Sequence, residues 1–176
     1  MGVLAYVGLG ANLGDAPATL NQAAQAMRDT PGVESLRLSP LYRSAPLDAT
    51  GPDFYNAVAE LSVTLTPLEL LQALQAIEQV HGRERPYRNA PRTLDLDLLL
   101  HGTAVQATAA LTLPHPRLHQ RAFVLRPLLD LAPNVQAPGL GPLVQHWPAV
   151  QDQVLEKLPW FGGRSALAHW PRLSSK

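Results

Sequence analysis

No cysteine occurs in this chain of 176 residues. Disulfides, cysteine-ligated zinc, iron–sulfur clusters and thiol nucleophiles are excluded together. Excess charge is missing too, because 14 Lys plus Arg balance 14 Asp plus Glu. A protein that holds a long nucleic acid usually carries a basic excess, so anions must be met here by local clusters. No aromatic-rich strand of the kind that stacks RNA bases is evident. No apolar run approaches the ~20 residues that span a bilayer. The opening Met-Gly-Val-Leu-Ala-Tyr lacks the basic stretch that begins a signal peptide. The expectation is a cytoplasmic globular protein with neither a nucleic-acid nor a membrane partner, working as a monomer. Hydrophobic residues supply 46% of the chain, and a single core at this length buries about 70% of the unfolded surface.

The chain reads as one domain over residues 1–158, followed by a tail, 159–176, whose Gly162, Gly163 and Pro171 show no periodicity and predict loose order. Residues 4–8 are apolar and β-prone. Gly8-Leu9-Gly10-Ala11-Asn12-Leu13-Gly14-Asp15 reads as a turn-rich loop. A helix follows from Pro17, with Leu20, Ala23, Ala24 and Met27 on one face, and Pro31-Gly32 stops it. Residues 33–42 and 54–65 alternate well enough for two strands of a hairpin. Thr66-Pro67-Leu68-Glu69 has the form of a capping box with proline at the first helical position. Leu70, Leu71, Leu74, Ile77 and Val80 carry that helix to Gly82. A strand over residues 93–100 completes the order β-α-β-β-α-β. The fold class expected is α+β, a ferredoxin-like core with additional C-terminal helices over residues 121–131 and 143–158. Helices on one face of such a sheet would leave the other face for ligands.

Thr93-Leu94-Asp95-Leu96-Asp97-Leu98-Leu99-Leu100 carries the clearest chemistry. Period 2 puts Leu94, Leu96, Leu98 and Leu100 toward the core and Asp95 and Asp97 together on the other face, with Cα atoms roughly 6–7 Å apart. Aspartate is depleted in strands, and two like charges on a half-buried face need a neutraliser. Arginines or a hard cation would serve; magnesium often takes one or two carboxylates with phosphates and waters. Alone, the pair is compatible with two solvent-facing acids. Arg83, Arg85, Arg88 and Arg92 stand just before it, and arginine's planar fork suits polyphosphate oxygens. His115 and Arg121 form a second candidate anion-binding pair, with Arg117 and His119 weaker members of the same turn. Gln75 and Glu78 share a helix face. Gly8-x-Gly10-x-x-x-Gly14 misses the dinucleotide fingerprint by one residue and lacks the Gly-Lys-Ser/Thr of a P-loop, so neither a Rossmann domain nor a Walker ATPase is indicated.

The run Arg88-Asn89-Ala90-Pro91-Arg92-Thr93-Leu94-Asp95-Leu96-Asp97-Leu98-Leu99 resembles the signature of the 6-hydroxymethyl-7,8-dihydropterin pyrophosphokinases of folate biosynthesis. Supporting matches, in the family's order, are Gly8 to Asp15, Tyr42-Arg43-Ser44-Ala45-Pro46-Leu47, Phe54-Tyr55-Asn56-Ala57-Val58, Gln75-Ala76-Ile77-Glu78, and Pro114-His115 through Arg121-Ala122-Phe123. The resemblance implies transfer of pyrophosphate from ATP to the pterin hydroxymethyl group, with AMP released. It implies that Asp95 and Asp97 hold two magnesium ions. It implies nucleotide contacts at Gln75, Glu78, Arg85, Arg92, Leu98, His115 and Arg121, and a pterin pocket at Ser44, Ala45, Leu47, Phe54, Asn56 and Phe123. Arg83 and Arg92 are the candidates for transition-state charge stabilisation beside Asp95 and Asp97. Asn89, Ala90 and Pro116 depart from the family pattern. Two other readings stand beside this one: a different magnesium-dependent nucleotidyl or phosphoryl transferase, and a non-catalytic ferredoxin-like ligand-binding module.

Overall fold

The computed structural model describes residues 2–45, 51–81 and 94–158. Strand β1 (Val3–Ala11) leads into helix α1 (Ala16–Arg28), then β2 (Val33–Leu38), β3 (Tyr42–Ser44), β4 (Phe54–Val63), α2 (Pro67–His81) and β5 (Asp95–His101). The C-terminal part holds β6 (Gln106–Ala107), β7 (Thr112–Leu113), α3 (Ala122–Leu131), β8 (Gln136–Ala137), β9 (Gly141–Pro142), a 3-10 helix (Leu143–Ala149) and β10 (Glu156–Lys157). The main sheet runs β10-β3-β4-β1-β5, with β2 also on β4, and every pairing in it is antiparallel. This is a mixed fold of an antiparallel sheet and helices.

Local sequence explains most of these elements. Asp15 caps α1 by accepting from the Ala18 amide, and proline sits in the first turn. Thr66 and Glu69 form the expected capping box: the Thr66 amide donates to Glu69 Oε1 at 2.9 Å, and the Glu69 amide donates to Thr66 Oγ1 at 3.2 Å. Residues 33–42, expected as one strand, are interrupted. Pro40 has no amide to donate to a ladder, and the neighbouring Ser39 hydroxyl takes over by accepting from the Val58 amide at 2.9 Å. The result is two short strands, β2 and β3, laid end to end along β4.

The two faces of the sheet are covered unequally. Ala5, Val7, Leu9, Ala57, Ala59, Leu61, Leu94, Leu96 and Leu98 pack with α1 and α2 into one core. On the opposite face Tyr6, Val58, Leu99 and Leu100 pack with Leu118, α3, Leu143 and Val150. Leu100 was expected with Leu94, Leu96 and Leu98. A register shift between Tyr6 and Val7 inserts Leu99 as an extra residue, so Leu100 turns to the α3 side.

Two further expectations are corrected. The glycine stretch does not leave the sheet at Gly8, because β1 continues to Ala11 with Gly8 and Gly10 paired on both sides. Residues 143–158 are not one α-helix. The apolar spacing of Leu143, Trp147 and Val150 imitates one, but Pro148 limits the segment to a 3-10 helix. The chain then turns and pairs Glu156 and Lys157 with Arg43 and Tyr42.

Candidate active site

Directly paired residues in an antiparallel ladder share a face. One row across the sheet is therefore Tyr42, Asn56, Gly10 and Asp95, and the next is Val58, Gly8 and Asp97. Ser44 opposite Phe54 extends the floor past the first row. All lie on the face away from α1 and α2. Helix α3 covers the Tyr6 end of this face and stops short of the carboxylates, which are exposed. Glycine at positions 8 and 10 leaves the centre of the floor without side chains. Gly10 has a second reason: a Cβ there would lie 2.7 Å from Asn56 Nδ2. Asn56 is thus seated against bare backbone, buried except for 8% of its surface.

Asp95 and Asp97 come together on this face as expected. Their position is fixed from the strand edge: the amide of Leu96, between them, donates to Glu78 Oε2 at 2.8 Å. Strand β5 ends the sheet path, so this amide would otherwise lack a ladder partner. Glu78 therefore ties α2 to the strand that carries both acids. Gln75 is exposed on the same helix, on the far side of the sheet. The Leu98 side chain points into the α1–α2 core, so any ligand contact there belongs to its backbone.

The turn after β7 supplies the opposite wall. The His115 amide donates to the Leu99 carbonyl at 2.9 Å, which docks the turn onto β5. The Arg117 amide donates to His115 Nδ1 at 3.2 Å. In a neutral ring this leaves the proton on Nε2. Burial pushes the His115 pKa below its ordinary value; Asp97 acts in the other direction, and Arg121 and Arg117 reinforce the fall. His115 is therefore a neutral donor near neutral pH, standing within electrostatic reach of Asp97 and Arg121. Arg121 lies over the Phe123 ring at 5.6 Å, a cation–π arrangement that extends its guanidinium along the ring. Ser44 and Ala45 end the described part of the β3 side. Leu47 and the arginines at 83, 85, 88 and 92 lie outside the described residues.

The donor set suits a hard divalent cation. Asp95 and Asp97 offer oxygen ligands only, and no group of three or more His, Cys, Asp or Glu converges among the described residues. Two carboxylates with room for phosphate and water match magnesium better than zinc. Of the residues singled out in the sequence, the structure brings Asp95 and Asp97 onto one face, with His115 within electrostatic reach of Asp97 and Arg121. Sequence reasoning missed the steric seat that Gly10 makes for Asn56 and the bond from Glu78 to the backbone, since neither has a local sequence signal.

A family profile described as 7,8-dihydro-6-hydroxymethylpterin-pyrophosphokinase (HPPK) matches residues 6–133. A 2-amino-4-hydroxy-6-hydroxymethyldihydropteridine pyrophosphokinase of Pseudomonas aeruginosa is 44% identical over 155 residues, 88% of this chain and 96% of that protein. One from Synechocystis is 44% identical over 137 residues, 78% of this chain and 70% of that one. A solved HPPK-DHPS of Plasmodium falciparum with pteroate superposes with a TM-score of 0.67 at 11% identity, a likeness of fold alone. It covers 85% of this chain, and the chain spans 44% of that longer protein. No helix among the described residues is long and apolar enough to cross a membrane. The match over residues 6–133 and the 44% identity spanning 96% of the Pseudomonas protein show that the chain belongs to the 7,8-dihydro-6-hydroxymethylpterin-pyrophosphokinase family.

Proposed function

We infer that the chain transfers the β,γ-diphosphate of ATP to the hydroxymethyl group of 6-hydroxymethyl-7,8-dihydropterin, a step of folate biosynthesis. The alcohol oxygen attacks the β-phosphorus, the bond from that phosphorus to the oxygen bridging it to the α-phosphate breaks, and AMP departs with that oxygen. The hydroxyl proton is released. The observation that carries this reading is the open sheet face, where Asp95 and Asp97 flank the bare backbone of Gly8 and Gly10 opposite Asn56. In-line transfer of this kind depends on positioning and on neutralising oxygen charge, and it needs no nucleophile from the protein.

Asn56 reads the polar edges of the pterin, whose two-faced hydrogen-bonding pattern an amide can match. Phe54 and Phe123 supply stacking faces, Ser44 and Ala45 close the outer side, and the family pattern assigns Leu47 to the same pocket. The triphosphate lies along the β5 edge, between Gln75 and Glu78 on one side and His115 and Arg121 on the other, with the Leu98 backbone beneath. The His115 Nε2–H donates to a phosphate oxygen. The family pattern assigns Arg83, Arg85 and Arg92 to the phosphates, where arginine's planar fork suits the oxygens. Magnesium held by Asp95 and Asp97, two ions as in the family pattern, would neutralise phosphate charge. The strand order β5-β1-β4 with β2 and β3 beyond supports a ferredoxin-like core, and residues 1–158 form the catalytic domain.

Incubation with Mg-ATP and the reduced pterin alcohol tests the reading. Equal yields of AMP and diphosphorylated pterin are expected. Release of inorganic pyrophosphate with a nucleotidylated pterin, or binding without turnover, would overturn it.

A further inference from the structure

The family profile ends at residue 133, yet a side chain 20 positions later bonds to the backbone around Arg121. Gln153 follows the 3-10 helix in a turn closed by its own amide, which donates to the Val150 carbonyl at 3.0 Å. Val150 is buried against α3 and anchors the turn. The Gln153 side-chain amide then makes two bonds. Its Oε1 accepts from the Ala122 amide at 2.9 Å, and its Nε2 donates to the Gln120 carbonyl at 3.1 Å. The residue between those partners is Arg121.

Arg121 needs such support. It is the N-cap of α3, with extended φ −125° and ψ 118°, and its own side chain makes no capping bond. Its carbonyl accepts from the Val124 and Leu125 amides, which leaves the Ala122 amide as a helix-end donor with no partner inside the helix. Serine, threonine or aspartate usually satisfies the first turn from the cap position itself. Here the cap position is taken by an arginine whose guanidinium lies over Phe123, and a glutamine from far along the chain does the capping. The two bonds hold the peptide groups on both sides of Arg121, so they fix the direction in which its side chain leaves the backbone.

We propose that Gln153 is a positioning residue that holds Arg121 in its nucleotide-facing geometry. This rests on the reading of Arg121 as a contact of the ATP phosphates. Gln153→Met keeps the length and removes both bonds; Gln153→Ala removes them with less bulk. With pterin saturating, each variant raises KM for ATP about fivefold to twentyfold, as expected for two neutral hydrogen bonds, and leaves kcat within about twofold. In an Arg121→Ala background, Gln153→Met adds less than about twofold, because the group it positions is gone. A wild-type KM for ATP in the Gln153 variants while Arg121→Ala raises it, or the same cost in both backgrounds, overturns the proposal. An unchanged KM for ATP in Arg121→Ala alone overturns the phosphate reading of Arg121 first, and the proposal with it.

Discussion

In the proposed site, Gly10→Ala separates the pterin end from the nucleotide end with one methyl group. The new Cβ would lie 2.7 Å from Asn56 Nδ2, where ordinary contact begins near 3.4 Å, so the amide must withdraw by about 0.7 Å. The backbone gives little, because Gly10 is paired with Asn56 on one side and Asp95 on the other. A hydrogen bond lengthened that far is largely lost. Losing one or two pterin bonds, with ring groups left unsatisfied, costs about 1.4–2.8 kcal/mol, a tenfold to hundredfold loss of pterin affinity. Affinity for Mg-ATP stays within about twofold, since the proposed phosphate wall is built from β5 and the turn after β7. Stability changes little, because alanine is favoured over glycine in a strand by about 0.5–1 kcal/mol and offsets part of the strain. Fluorescence titration with pterin, a parallel titration with nucleotide and a thermal melt measure all three quantities. Unchanged pterin affinity, or equal losses for both ligands, would refute the argument that Gly10 seats Asn56.

Asp95→Ala and Asp97→Ala each reduce AMP formation by at least about 100-fold, from the several kcal/mol that metal-assisted charge neutralisation supplies. Both melt near the parent temperature, because both side chains are exposed. Thr66→Ala removes one half of the capping box and destabilises the protein by about 1 kcal/mol in denaturant unfolding, with catalysis intact. The Tyr6 and Tyr42 hydroxyls are held protonated, first by burial and then by their bonds to Glu60 and Asp130, well above the ordinary value of 10.0. A raised folded-state pKa contributes stability that is complete below pH 10 and declines as pH rises above it. Denaturant midpoints measured from pH 8 upward should therefore fall beyond about pH 10, and the double variant Tyr6→Phe with Tyr42→Phe should flatten that fall.

The legible parts of this protein are those whose cause is local. Thr66 and Glu69 are three residues apart and bond to each other, so the pattern states the structure. Asp95 and Asp97 share a face because a strand alternates. The illegible parts depend on partners distant in sequence. Gly8 and Gly10 look like turn residues, and only Val58, Asn56, Asp95 and Asp97 across the ladders keep them in β1. The bulge at Leu99 falls inside three consecutive leucines. Both faces of the sheet are buried there, so no polar residue marks the change of side. In residues 143–158 the apolar spacing favours a helix that Pro148 ends, and the chain beyond is drawn onto the edge of β3, 113 positions from Glu156 to its ion-pair partner Arg43.

The unequal faces of the sheet explain why a site forms where it does. Two helices on one side bury the alternate leucines of β5, and this fixes the register that turns both aspartates outward. On the other side α3 packs on Tyr6 and Val58 and bonds Tyr42, and leaves both carboxylates exposed. It is held there by Arg37, which pairs with Glu60 at 2.8 Å and reaches the Leu131 carbonyl at 3.1 Å, and by Tyr42 bonding to Asp130. Both ties lie on α3's C-terminal half. A third helix packed squarely across the sheet would have buried the carboxylates at prohibitive desolvation cost. The acids therefore require an open floor, and the glycines in β1 leave its centre without side chains, as the proposed seat of a planar ring demands.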